Sequence, residues 1–426
     1  MGKAPVVPEV RSSGRLYYLD WLRVLAVMGV MLQHSIYIPT SISEEASAAL
    51  GVAVLPALIF APAGITVFFL VSGSASMFAL DRRSSRTYLK ERALRLAVPF
   101  LVFSAIITPY MAWLAYHTRT PTELAATDPA GLSSEEATFL TQAPFWEYYS
   151  YHWLEWFPYN FPGTTPALIG LAGAHLWFIG FLFVFSVAGL PLLQWLRSDK
   201  AKGLINLSIR LASRRAGLVL FAVPVVVLGL VGVLLEVATG TAGDYYMGWG
   251  AFLRYFTIFI LGGLLMCDQR VLAAVRRSWG WLLLAGVVGL AGFIITFVSS
   301  YTVALGFMQG AFAAVMEWCL ALVVLRIGMG VLNRDGNTLK YCLGIVVAFY
   351  VLHFPVLATV DFWIVVDGFL AALADFSTLL IWITSILLST AIILAIIEVV
   401  VRPIPPLRFL LGVPKERIPG QQRHTD

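Results

Sequence analysis

Charge is scarce in this chain. Only 12% of its 426 residues are Asp, Glu, Lys or Arg, about half the share of a soluble domain. Hydrophobic residues make up 59%, and the mean hydropathy is +0.83. Water cannot be the solvent for most of such a surface. Cysteine is nearly missing: Cys267, Cys319 and Cys342 fall within or beside apolar segments, which argues against a disulfide framework. A clustered Cys/His pattern for a metal and a phosphate-cradling loop of the P-loop type are both absent. Nor is there a G-x-S-x-G nucleophile elbow, or a His followed five positions later by Asp. The sequence has no evident internal repeat and no paired broken segments of the kind that mark many carriers. Met1 to Gly14 is polar, and the first apolar run is long enough to span, so a cleaved leader is not expected.

What the chain has is long apolar runs. A bilayer core takes about 20 apolar residues per helix. Segments of that kind lie at roughly 19–39, 57–80, 93–116, 173–196, 216–238, 249–266, 280–299, 303–326, 341–360 and 377–401. Alternating barrel-type patterning is lacking, so each segment satisfies its own backbone as a helix. The expected fold is all-α: a polytopic integral membrane protein of about ten transmembrane helices, in one bundle and one domain over residues 1–426. The apolar but interrupted stretch from Asp361 to Asp375 leaves eleven segments open.

Charge orients the bundle. With the first end in the cytoplasm, the inner segments hold all but three of the 29 basic residues, the exceptions being Arg23, Arg119 and Arg254. Outer connections carry acids instead, among them Glu44, Glu123, Glu136, Asp244 and Asp361. This bias predicts cytoplasmic N- and C-termini. It also accounts for the net charge of +5 without nucleic acid, because the basic face can meet anionic membrane lipids. The longest outer connection, about 118–172, begins polar and acidic and then turns aromatic from Phe145 to Phe157. Such a stretch reads either as an interfacial aromatic belt or as a platform that stacks on sugar rings.

Ionisable groups inside lipid are costly and mark function by default. In the first helix Arg23 and His34 stand eleven positions apart. They return to within ~20° of one face, separated by ~16 Å along the axis. Asp20, three residues before Arg23, is placed to pair with it. Arg92 and Arg95 share a face at the cytoplasmic surface, where guanidinium groups suit phosphates. Ser72-Gly73 ends the second apolar run and reads as close helix packing as readily as a contact site. His353 sits at a depth of ~18 Å against ~22 Å for His34, so the two can face one cavity. His175 and Trp177 open the fourth helix, where an interfacial anchor is an equal reading. For Arg254 and Glu317 a structural ion pair is expected, with Glu236 a further partner for Arg254.

Taken in order, these motifs resemble the membrane-bound acyltransferase 3 family over nearly the whole chain. The resemblance is carried by Leu19-Asp20-Trp21-Leu22-Arg23 with His34, Phe68 to Gly73, Arg92 to Pro99, His175 to Phe178, Tyr350 to Pro355 and Ile404 to Leu410. Within the family it is most similar to succinyltransferases of periplasmic glucans. Ser74 stands where many members carry an aromatic residue. The resemblance implies acyl transfer from cytosolic acyl-CoA to an extracytoplasmic carbohydrate at the plasma (inner) membrane. It makes His34 and Arg23 catalytic, with Asp20 orienting Arg23. Donor binding falls to Arg92, Arg95, Ser72 and Gly73, and substrate contact to His353, His175 and Trp177. No tightly bound cofactor and no metal are expected, since acyl-CoA is a substrate; a homo-oligomer stays open. The competing class is a proton-coupled transporter of a small solute, which the same intramembrane charges fit.

Overall fold

In the computed structural model the described residues are 15–42, 51–127, 132–156, 175–213, 248–299, 303–365 and 378–416, with isolated positions at 228, 229, 234 and 238. Every regular element among them is helical. Among the described residues six helices are long and apolar enough to cross a membrane, or up to eight if each of two bent pairs counts as one span. Several such helices fit a multi-pass membrane protein, but the expected ten are reached only in part. The segment expected at 216–238, with Glu236, lies almost wholly outside the described residues, as does 157–174.

The chain opens with α1 (Tyr17–Ile42) and α2 (Gly51–Arg82), followed by α3 (Ser85–Arg92), a π turn (Ala93–Ala97) and α4 (Val98–His117). The π turn has a local cause. Pro99 cannot donate to the Arg95 carbonyl, and the Val98 N–H reaches back five residues to Ala93 O. Short helices α5 (Pro121–Thr127), α6 (Ser134–Gln142) and α7 (Phe145–Tyr151) form a small unit on the end of α4. There Leu124, Ala137, Leu140 and Tyr148 are buried against Trp113 and Tyr116. The aromatic stretch therefore divides, with Tyr148 inside and Trp146 73% exposed.

The run read as one helix over 173–196 is two, α8 (Trp177–Ala188) and α9 (Leu190–Leu196), bent by 54°. Pro191 withholds the N–H that the Val187 carbonyl needs. After α10 (Lys202–Ser213), α11 (Trp249–Leu265) and α12 (Gln269–Arg277) are bent by 107°. Asp268 caps α12 by accepting from the Arg270 N–H, and this amphipathic helix buries Val271, Ala274 and Val275. Then come α13 (Trp279–Val298), α14 (Val303–Val331), α15 (Asn337–Val365), α16 (Thr378–Ile396), a further π turn (Ile397–Val401) and α17 (Pro405–Leu410). Helix α15 runs past its expected end at 360, so Asp361 is buried within it and accepts from the Ser385 hydroxyl rather than lying in an outer connection.

Small residues set the helix crossings. A Cβ on Gly73 would stand 1.8 Å from Phe259 O, and one on Gly262 would stand 2.1 Å from Leu70 O. Helices α2 and α11 thus touch backbone to backbone, as packing in lipid favours. Ser74 stitches the crossing by donating to Leu70 O or Gly262 O, at 2.9 and 3.0 Å. The interior also holds the Arg254–Glu317 pair at 3.4 Å, from α11 and α14. Meanwhile Met28, Ile106, Ile295, Val298 and Leu387 are more than half exposed, a surface suited to lipid rather than water.

Candidate functional site

Imidazoles from separate parts of the chain meet in the bundle interior. His34 comes from α1, His175 from the turn before α8 and His353 from α15. Ring centroids lie 4.9 Å apart for His175 and His353, 5.4 Å for His34 and His353, and 6.4 Å for His34 and His175. Phe354 packs on His34 at 4.4 Å and on His175 at 5.4 Å.

Pro355 explains how the cluster is held. It has no N–H, so the Val351 carbonyl one turn back loses its helical donor. His175 Nε2 fills that vacancy at 3.1 Å. His353 Nδ1 donates to the Tyr350 carbonyl at 2.6 Å, and the Tyr350 hydroxyl donates to the His175 carbonyl. Because a carbonyl only accepts, this network assigns the tautomers. Neutral His353 keeps its lone pair on Nε2 and neutral His175 on Nδ1. Both atoms are buried without a hydrogen-bond partner among the described residues. Buried acceptors left open are costly. Here they leave two lone-pair nitrogens open to a hydroxyl donor.

A cavity of about 790 Å³ leads toward the cluster from the arginine-rich end of the bundle. Its charged part is lined by Arg23, Arg92, Arg95, Arg408 and Glu91. Moving from Arg23 to Val27 along α1, and from Ser72 to Phe68 along α2, the lining becomes apolar. Phe178 and Tyr350, with ring centroids 5.8 Å apart, line its apolar part. The Tyr350 ring lies 5.5 Å from those of both His175 and His353. The histidines are therefore one aromatic layer beyond the cavity rather than in its wall.

The electrostatics favour an anion. Glu91 is engaged by Arg83 at 2.7 Å, so the cavity's arginines outweigh its acid. Arg92 donates to Ser76 Oγ at 3.0 Å and lies over the Tyr88 ring. Tyr88 donates to the same oxygen, which in turn donates to Ser72 O. Asp20 does not make the ion pair expected with Arg23. Its carboxylate accepts from Arg15 Nε at 2.7 Å, and Arg23 makes no ion pair among the described residues. The cause is reach: Arg15, just before the helix, folds back onto the first turn.

The structure thus brings His34, His175 and His353 together, and Arg23, Arg92, Arg95 and Ser72 around one cavity. Gly73 serves the crossing with α11 instead. Trp177 packs on Phe181 and Tyr255 and does not line the cavity. Arg254 finds Glu317 as its partner. No group able to hold a metal ion occurs among the described residues. Sequence reasoning missed Ser76, Tyr88 and Arg408. Only Arg408 carried a signal, in the terminal Ile404-Pro405-Pro406-Leu407-Arg408 motif.

Compared with known families, residues 16–398 match the family model Acyl_transf_3, described as an acyltransferase domain. No curated protein and no solved structure shows a significant match to the chain.

Proposed function

The chain belongs to the acyltransferase 3 family, and from that premise we propose that it is a membrane-bound O-acyltransferase. It moves a short acyl group, of acetyl or succinyl type, from cytosolic acyl-CoA to a hydroxyl of an extracytoplasmic carbohydrate. The observation that carries this reading is a cavity basic at one end and apolar at the other, with a buried imidazole cluster next beyond it. The phosphates of the donor rest among Arg92, Arg95 and Arg23, where planar guanidinium groups suit them. The pantetheine arm follows the apolar lining, and the thioester passes the layer of Tyr350 and Phe178 to reach His34.

In the chemical step the acceptor hydroxyl attacks the thioester carbonyl. His34 takes the hydroxyl proton, the C–S bond breaks, and the proton is returned to the departing thiolate. The products are an ester and free CoA. His353 and His175 flank His34 beyond the cavity and contact substrate there. Their lone pairs are fixed by carbonyls, so a proton held at His34 has buried acceptors close by. The bias of basic residues supports cytoplasmic termini and a plasma-membrane location.

The test is acyl-CoA turnover by the purified protein with a glycan acceptor, alongside His34→Gln. General-base loss costs about 10²–10⁴-fold, so the variant should insert normally and lose transfer. Retained acylation in that variant, or flux of an intact solute with no acyl-CoA consumed, would discard this mechanism.

A further inference from the structure

The family match ends at residue 398, yet one wall of the basic cavity is built from residues beyond that point. Pro405, Arg408, Phe409, Leu410, Val413 and Pro414 all line it, and Arg408 adds a guanidinium to those of Arg23, Arg92 and Arg95. This segment is fastened by a half-buried clamp. Arg402 donates from Nε and Nη2 to the two oxygens of Glu398, at 3.0 and 2.8 Å. Its Nη1 donates to the carbonyls of Pro414 and Glu416, at 2.7 and 2.9 Å. Tyr341 of α15 donates to Glu398 Oε1 at 3.0 Å. The local backbone cooperates: Pro403 comes after the π turn at Ile397–Val401 as Pro99 comes after the one at Ala93–Ala97, and the Arg402 N–H reaches five residues back to Ile397 O. The outcome is a return of the chain over the cavity.

Arg408 uses Nη1 on the Arg402 carbonyl at 3.3 Å, which orients the guanidinium. No acid pairs with it among the described residues, and the cavity's own acid, Glu91, is engaged by Arg83. A guanidinium has five N–H donors, so Arg408 keeps most of its capacity. We propose that residues 402–416 complete the donor site, with Arg408 binding the phosphates of the nucleotide-bearing thioester and the Arg402–Glu398–Tyr341 clamp positioning it. The inference rests on the reading of this cavity as the acyl-CoA site.

The experiment compares CoA with pantetheine, which has the same arm without nucleotide or phosphates, binding to the full-length protein in detergent. In Arg408→Gln, CoA should weaken about tenfold, the worth of one charge-assisted hydrogen bond, while pantetheine stays within about twofold. Arg408→Lys should recover part of the loss, since it restores the charge without the fork. Glu398→Gln should shift CoA alone in the same direction by loosening the clamp. Equal weakening of CoA and pantetheine, or no change in either, would overturn the role of Arg408. A parent protein that does not prefer CoA to pantetheine would instead overturn the donor reading of the cavity, and this inference with it.

Discussion

Proline at position 355 shapes the imidazole cluster without touching a proton. By removing one helical N–H it exposes the Val351 carbonyl, and that carbonyl holds His175 in a single tautomer. Pro355→Ala restores a competing donor one turn along. The expected result is a protein at least as stable to heat, because α15 gains a helical bond. Acyl transfer should slow by about tenfold to a hundredfold, the cost of slight misplacement at a reacting centre. Initial rates and thermal midpoints measured together check it, and unchanged transfer would sever Pro355 from catalysis. At this scale the sequence was readable where depth could be counted. His34 and His353 lie near one level by residue count, and their rings do meet at 5.4 Å. His175 was harder to place. At a helix start it resembles an interfacial anchor, and its role is set by a carbonyl 176 positions away. The Asp20–Arg23 pair failed for a related reason: helical spacing says who is adjacent, not which competitor arrives from outside the helix.

Among the elements, contact between backbones decides stability. Gly73→Ala would drive a methyl group into the Phe259 carbonyl, and overpacking of this kind costs about 1–3 kcal/mol. Its thermal midpoint in detergent should fall. Gly280→Ala, with open space around the new methyl, should raise the midpoint slightly through helix propensity alone. Both results are needed for the crossing to be the cause. The small unit of α5 to α7, with the π turn His152–Trp156 that follows it, carries a separate, pH-dependent weakness. Burial lowers the pKa of His152 to about 4, against about 6.5 unfolded. Between those values the unfolded segment binds a proton that the folded one refuses. Stability is therefore complete above about pH 6.5 and drains away as pH falls toward 4. The capping hydrogen bonds that lower the pKa values of Glu123 and Glu136 act in the same direction at lower pH still. Limited proteolysis should cut residues 118–156 progressively faster from pH 7 to pH 4.5. A His152→Gln variant should lose most of that dependence above pH 5. The apolar runs gave the helices but not their bends. Pro191 was visible in the sequence, while the turn angle it produces depends on what α9 packs against.

The molecule as a whole is polarised, and its chemistry depends on which way it faces. Every arginine lining the cavity sits toward one end of the bundle, and the aromatic unit with Trp146 comes after α4, which leads away from that end. Hydropathy could count spans only as far as helices run straight and apolar, so the bent pairs blur the number. Sidedness rests on charge, which bending does not alter. Cysteine substitutions at Trp146 and Lys415, both exposed, test it in a background where Cys267, Cys319 and Cys342 are replaced by serine. In intact cells an impermeant maleimide should modify the cysteine at position 146 and spare the one at 415, and permeabilisation should open both to the reagent. The reverse pattern would put the arginines on the side that has no acyl-CoA. The cavity would then need a different anionic ligand, and the imidazole cluster would face its acceptor from the cytoplasm.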